Sequence, residues 1–248
     1  PRIGSKLALL EEYIENVRGM VREANNPIYD SGVDQYEDYI RRALRRYSID
    51  KPLVKSASIT GTSSEYFIVN TSNLPDFVEF WSSIERMEVK APTIASNEDP
   101  NYIERDQWEY YRNATALYVH FIGFTPTSSE TISVTYTVPH TINNLDSEST
   151  DSVPSVDFEA VVYYACNLTC MALASKFAGT SDPTLRADVV NYKTKSAEYI
   201  ALSKMYRDVY MEWISDPIKA ASLVRDIDFG YGFADNQPFM THRSFNRS

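Results

Sequence analysis

The chain has 248 residues, 43% hydrophobic and 23% charged, which is enough for one or two folded domains with a real core. Its net charge of −10 argues against a protein that grips nucleic acid, because backbone binding relies on Lys and Arg displacing counterions. DNA that only passes by is compatible with this charge, since an acidic wall repels phosphates. The 18 Tyr residues suit either a Tyr-rich core or a surface that a partner covers.

Two amphipathic helices are predicted at the start of the chain. Residues 5–24 carry apolar side chains at three- and four-residue steps, and Asn25-Asn26-Pro27 ends that pattern. The second helix is predicted over residues 33–47, and its polar face carries four Arg residues: Arg41, Arg42, Arg45 and Arg46. Such a face is either solvated and paired with acidic neighbours, or in contact with a neighbouring subunit or an acidic partner.

The helical period disappears between residues 52 and 139. Alternating polar and β-branched or aromatic residues predict strands at 65–70, 84–90, 117–124 and 131–138. We therefore expect a β insertion of about four to six strands in an antiparallel sheet with one wet face. The last strand stops at Pro139-His140, and a polar run follows.

Two long helices are predicted after that run. The first covers 156–178, with Ser155 as its N-cap and Gly179 as its stop. Because it is apolar nearly all round, we expect it to be the central and most buried helix. The second, amphipathic and Tyr-rich, covers about 186–214. Residues expected to be almost fully buried on the first helix are Val161, Ala165, Leu168 and Ala172.

Cys166 and Cys170 lie on one face of the first of these helices, too far apart to form a disulfide within a straight helix. They are interpreted as buried free thiols in a reducing compartment. The three His residues show no metal-ligand spacing relative to them: His120, His140 and His242. No metal site and no other cofactor is predicted. No membrane span is predicted either, because the longest uncharged run, 160–175, is shorter than the ~20 residues that a bilayer needs.

No catalytic constellation is found, and the chain is predicted not to be an enzyme. Gly230-Tyr-Gly232 lacks the strand and helix that flank a phosphate-binding loop. Paired carboxylates such as Asp226 and Asp228 are interpreted as solvated charges rather than as acid–base catalysts.

Residues 217–248 are predicted to form an extended C-terminal arm. Asn236–Ser248 contains no acidic residue, against the acidic average of the chain. This segment is either a frayed tail or an arm that becomes ordered on a partner. Its candidate binding residues are aromatic or cationic: Phe229, Tyr231, Phe233, Phe239, Arg243, Phe245 and Arg247.

The order of these elements resembles the head-to-tail adaptor proteins of tailed bacteriophages, of the siphophage type. The resemblance covers about residues 34–214. It is carried by four segments in order: IRRALRRYSIDKP (40–52), LPDFVEFWSSIERMEVKAP (74–92), YTVPHT (136–141) and AGTSDPTLRADVV (178–190). It implies an α+β fold, a four-helix adaptor-type bundle with an antiparallel β insertion between helix pairs and an extended C-terminal arm.

The expected division of the chain follows the same elements. An N-terminal helical pair covers 1–51 and a β-rich insertion covers 52–140. A C-terminal helical pair over 141–216 completes the bundle, and the arm covers 217–248.

The resemblance also implies a function. Such proteins are structural and form a ring, typically dodecameric, that docks on the portal, extends the DNA channel and connects head to tail. The implied partners are copies of this chain, the portal protein, tail or neck proteins, and DNA that passes without sequence-specific binding. The implied location is the virion neck, after assembly in the host cytoplasm, with no membrane contact.

Two other interpretations stay open at this point. One is a different neck or tail component, such as a tail-completion or tail-terminator protein, which would also assemble as a ring. The other is a stand-alone soluble β-domain with helical flanks that acts as a binding module or as an enzyme.

Overall fold

The computed structural model describes residues 9–21, 35–89, 101–179 and 192–215. The α-helices are α1 (Leu10–Val21), α2 (Gln35–Asp50), α3 (Phe158–Gly179) and α4 (Tyr192–Ser215). The strands are β1 (Leu53–Thr60), β2 (Tyr66–Val69), β3 (Ile84–Val89), β4 (Asn101–Ile103), β5 (Trp108–Arg112), β6 (Leu117–Phe121) and β7 (Thr131–Val138). Short 3-10 turns precede β5 and α3, at Arg105–Gln107 and Ser155–Asp157.

The strands form two antiparallel sheets that share one apolar core. The four-stranded sheet has the order β1-β7-β3-β4, and the three-stranded sheet has the order β2-β6-β5. Alternate side chains of β7, such as Val134, point inward and belong to the same buried cluster as Phe67 of β2 and Val119 of β6. The two sheets therefore pack face to face as a small sandwich.

The helices surround a second apolar core, and α3 lies at its centre. All three other helices pack against α3. The core side chains of α3, including Val161, Ala165 and Leu173, are fully buried among Tyr13 of α1 and Tyr47 of α2. A helix without a polar face can bury side chains against neighbours on several sides, which explains the central position of α3.

The fold is α+β, but the predicted four-helix bundle with a β insertion between helix pairs is wrong. Seven strands of the described residues split the helices, and they form two sheets with a core of their own rather than one sheet with a wet face. The helices also do not associate as two pairs, because α2 packs mainly on α3 and only slightly on α1. The predicted C-terminal arm lies outside the described residues, and the predicted domain boundaries stay predictions.

At the level of single elements, the sequence predicted four of the strands correctly: β2, β3, β6 and β7. The strands that it missed are β1, β4 and β5. The prediction of Ser155 as the N-cap of the long apolar helix is wrong, because Pro154 caps a 3-10 turn that starts at Ser155 and leads into α3. Leu168 and Ala172 are only half buried, in contrast to the full burial that was predicted. Both Cys residues are buried thiols that form no disulfide, as predicted.

Candidate functional site

Buried polar side chains meet where the sandwich joins the helices. The carboxylate of Asp157, in the turn before α3, accepts hydrogen bonds from Tyr47 Oη at 2.8 Å and from Trp213 Nε1 at 3.1 Å. Lys51 Nζ lies 3.3 Å from the same carboxylate. One side chain therefore holds the ends of α2 and α4 and the start of α3 together.

His140 completes this junction on the strand side. Its Nε2 atom lies 3.0 Å from the carbonyl oxygen of Lys51, and its Nδ1 atom lies 3.1 Å from Ser152 Oγ. Its backbone N–H donates to Ser48 Oγ at 3.0 Å. Burial lowers the pKa of His140 below its ordinary value, so the neutral imidazole is favoured. A neutral ring that donates from Nε2 to the Lys51 carbonyl can accept at Nδ1 from Ser152 Oγ, but it then has no proton for the carbonyl oxygen of Ser152, which lies 3.0 Å from Nδ1.

The junction is closed to solvent. Exposure is 3% for Asp157, 4% for Lys51 and 6% for His140. A carboxylate, an ammonium and an imidazole close together are groups that acid–base catalysis uses, but here the carboxylate and the ammonium pair with each other, and the imidazole contacts the Lys51 backbone and Ser152. This arrangement joins the two cores. No pattern in the sequence indicates this role for Lys51 or Asp157.

The four Arg residues of α2 divide into two groups. Arg41 bonds to Glu37, Asp38 and Asp146, and Arg46 bonds to Asp50 at 2.8 Å. The other two, Arg42 and Arg45, are exposed and make no hydrogen bond or ion pair with any residue in the described part of the chain. Of the four Arg residues predicted to contact a neighbouring subunit or an acidic partner, only Arg42 and Arg45 are therefore left for such a contact.

An aromatic surface covers the outer side of the three-stranded sheet. The cross-strand register places the side chains of that side in two rows, and each row contains one residue from β2, one from β6 and one from β5. We call these side chains the aromatic face: Tyr66, His120 and Glu109 in one row, and Ile68, Tyr118 and Tyr111 in the other. Three of its members, Tyr66, Ile68 and Tyr111, are among the exposed large hydrophobic residues of the structure.

The aromatic face has a defined internal geometry. The Tyr66 and His120 rings stack with centroids 4.5 Å apart, and Tyr66 meets Tyr111 edge-on at 5.6 Å. His120 Nδ1 lies 3.1 Å from Glu109 Oε1, while its Nε2 atom lies 3.9 Å from Glu65 at the border of the face. The stacked rings on neighbouring strands stand upright on the sheet, so they present their edges and hydroxyl groups to solvent. The Glu side chains beside them add carboxylates to the same surface.

A groove of about 500 Å³ lies between α3 and α4. Its walls include Leu168 and Met171 of α3 and Ile200 of α4, with Lys204 and Arg207 at the border. This groove explains why Leu168 is only half buried. The sequence could not predict it, because the groove depends on how two helices that both carry apolar residues pack against each other.

The described residues contain no group of three or more His, Cys, Asp or Glu that could hold a metal ion. By length and composition alone, the helical segment Ser155–Ala178 could cross a membrane, although the sequence predicted no span. However, 56% of its most apolar window is buried inside the protein, and core helices pass the same test.

The aromatic and cationic residues predicted to bind the portal all lie outside the described part of the chain: Phe229, Tyr231, Phe233, Phe239, Arg243, Phe245 and Arg247. Their role stays a prediction. The resemblance to phage adaptors rests on the four segments quoted above, and function must be inferred from the surfaces just described. No family model matches this chain, and a search of curated proteins finds no significant match.

Proposed function

We propose that this protein is a structural subunit of the ring that connects head and tail in a tailed bacteriophage. In this role it docks on the portal, extends the DNA channel and has no catalytic activity. The observation that carries the proposal is the aromatic face, because a folded protein with its own two cores still leaves a patterned set of Tyr side chains in solvent.

An exposed face of this composition favours protein contact. Tyr residues are enriched in protein interfaces, where they contribute a large apolar area and a hydroxyl group at low entropic cost. Such patches on a soluble protein commonly mark contact sites. The alternative use of these residues, in a Tyr-rich core, applies to Tyr13, Tyr36 and Tyr47, which are buried.

The buried junction supports a structural role as well. Lys51, Asp157 and His140 make contacts that hold the sandwich to the helices. This arrangement suits a part that must keep a fixed shape inside an assembly. The net charge of −10 also suits a subunit near passing DNA, since phosphates are repelled rather than retained.

The proposal is tested by mixing the full chain with portal rings of the same phage and measuring the mass of the complex. We expect a defined number of copies per portal ring, in a closed ring that is visible by electron microscopy. A chain that never binds the portal, or that retains DNA tightly at physiological salt, would contradict the proposal.

Attachment to the portal can be separated from folding. Deletion of Asn236–Ser248 should leave the circular dichroism spectrum and the unfolding midpoint unchanged, because the described side chains that form the two cores come from residues 10–214. The same deletion should abolish binding to portal rings. A truncated chain that still binds in full number would show that this segment is not the portal contact.

A further inference from the structure

The aromatic face is rich in hydrogen-bond acceptors and carries negative charge. The side chain of Glu65 is 55% exposed and that of Glu109 is 58% exposed, and the imidazole of His120 lies between them. The Tyr hydroxyl groups of the face add further acceptors. A surface of this kind fits a donor group with planar geometry and positive charge.

A matching group lies on another part of the same chain. Arg42 and Arg45 are three residues apart on α2, so they share one side of the helix. Ala43 and Leu44, between them in sequence, are buried in the helical core. The Arg pair therefore points away from the core, and each guanidinium offers a fork of donors that suits carboxylate oxygens.

We propose that the aromatic face of one copy binds the Arg42/Arg45 pair of the next copy. Charge complementarity points to a second copy as the occupant, because the face carries the carboxylates of Glu65 and Glu109, and the Arg pair is a cationic site left without a partner among the described residues. The two surfaces differ, so the contact is head-to-tail, and a head-to-tail contact produces a ring when its rotation closes. The inference rests on the proposed function and names the contact between neighbouring subunits.

Other ligands fit the aromatic face less well. Nucleic acid and flat sugar rings need free ring faces, but Tyr66 and His120 turn their faces toward each other at 4.5 Å. Two exposed carboxylates would also repel phosphates. A basic surface on a different protein has the same chemistry as the Arg pair, and the experiment below distinguishes it from a second copy.

The test uses two charge-reversal variants of the full chain. The first is R42E with R45E, and the second is E65K with E109K. Sedimentation velocity follows assembly at rising concentration, with and without portal rings. Each variant alone places like charges in the contact, and we expect association at least about tenfold weaker than in the wild type.

The mixture of the two variants gives the decisive result. Arg42 and Arg45 of the second variant meet the wild-type face of the first, and the new Glu residues of the first meet the new Lys residues of the second. Both contacts are again complementary, so the equimolar mixture should assemble with alternating copies. The control variant, K204E with R207E, makes the same change in charge on α4 and should assemble like the wild type.

Each outcome decides between the claims. If the wild type assembles and both variants assemble equally well, the contact is overturned while the ring function stands. If the variants fail alone and their mixture also fails, the aromatic face binds a different protein and the second-copy proposal is overturned. If the wild type assembles neither alone nor on portal rings, both proposals are overturned.

Discussion

Asp157 and Lys51 form a buried ion pair whose value to the fold depends on both partners being present. Removing the carboxylate leaves an ammonium group that is buried at 4% exposure and has no other acidic partner in the described part of the chain. Burial of an unpaired charge is among the most destabilising changes in a protein core. The pair therefore acts as a lock between the end of α2 and the start of α3.

We predict that Asp157→Ala lowers the free energy of unfolding by about 3–5 kcal/mol, as expected for breaking a buried pair. The matched control is Asp208→Ala, which removes an exposed carboxylate that bonds to Arg207 at 3.3 Å and should cost about 0–1 kcal/mol. Urea unfolding measures both. Equal effects for the two variants would show that the junction does not hold the fold.

His140 makes stability depend on pH. Burial lowers the pKa of His140, whereas in the unfolded chain the pKa is about 6.5. As pH falls below that value, His140 binds a proton in the unfolded chain but stays neutral in the folded protein. The stabilisation from neutral His140 is therefore complete above pH ~6.5 and is lost as pH falls toward the lowered pKa of the folded state.

We predict that the unfolding free energy falls more steeply between pH ~7 and ~5 in the wild type than in His140→Gln, because Gln has no proton to bind. Comparing the two chains removes the contributions of other groups, such as Asp151, whose pKa burial raises. Urea unfolding over this pH range gives both slopes. Parallel slopes would mean that His140 is protonated without cost in the fold.

On the scale of elements, α3 has one side in the core and one side along the groove to α4. Leu173 is fully buried, whereas Leu168 lines the groove and is half buried. The same substitution at these two positions therefore separates burial from helix propensity, because both are Leu residues within one helix. Cys166 and Cys170 are also buried on this helix.

We predict that Leu173→Ala costs about 2–5 kcal/mol through lost burial and a residual cavity, and that Leu168→Ala costs clearly less. Thermal and urea unfolding give the two values. The native protein should also resist thiol reagents until it unfolds, because burial raises the pKa of Cys166 and keeps it protonated. Equal costs for the two variants, or rapid labelling of the thiols in the native protein, would contradict the burial of Leu173 and of both Cys residues in the helical core.

The sequence predicted elements where the pattern was local and strong. Strand β7 alternates between inward and outward side chains along its length and was found, as was β6. The strands that were missed are short or weakly patterned: β4 has three residues, and β1 exposes or half exposes all but one of its residues. Ser155 failed as an N-cap because Pro154 takes that position and the chain then forms a 3-10 turn.

Contacts between distant parts of the chain explain the remaining differences. The ion pairs of Arg41 with Glu37 and of Arg46 with Asp50 follow from four-residue spacing, but the bond from Arg41 to Asp146 spans 105 residues. The pairing of β1 with β7 likewise joins the first and the last strand of the sandwich in chain order. Periodicity cannot choose among such pairings, so it could not distinguish one sheet from two, or locate the aromatic face.

At the scale of the whole molecule, two cores joined by a closed polar junction present two complementary outer surfaces, the aromatic face and the Arg42/Arg45 pair. This combination is what the proposed role as a ring subunit requires. A heterologous contact between such blocks leads to a closed ring or to an open filament, depending only on the rotation between neighbours.

The most direct test of the ring function is electron cryomicroscopy of virions that contain this chain, with symmetry determined at the neck. We predict a closed ring of its copies seated on the portal, with the DNA path through the centre. Virions in which the chain is absent from the neck, or occurs there without ring symmetry, would contradict this account.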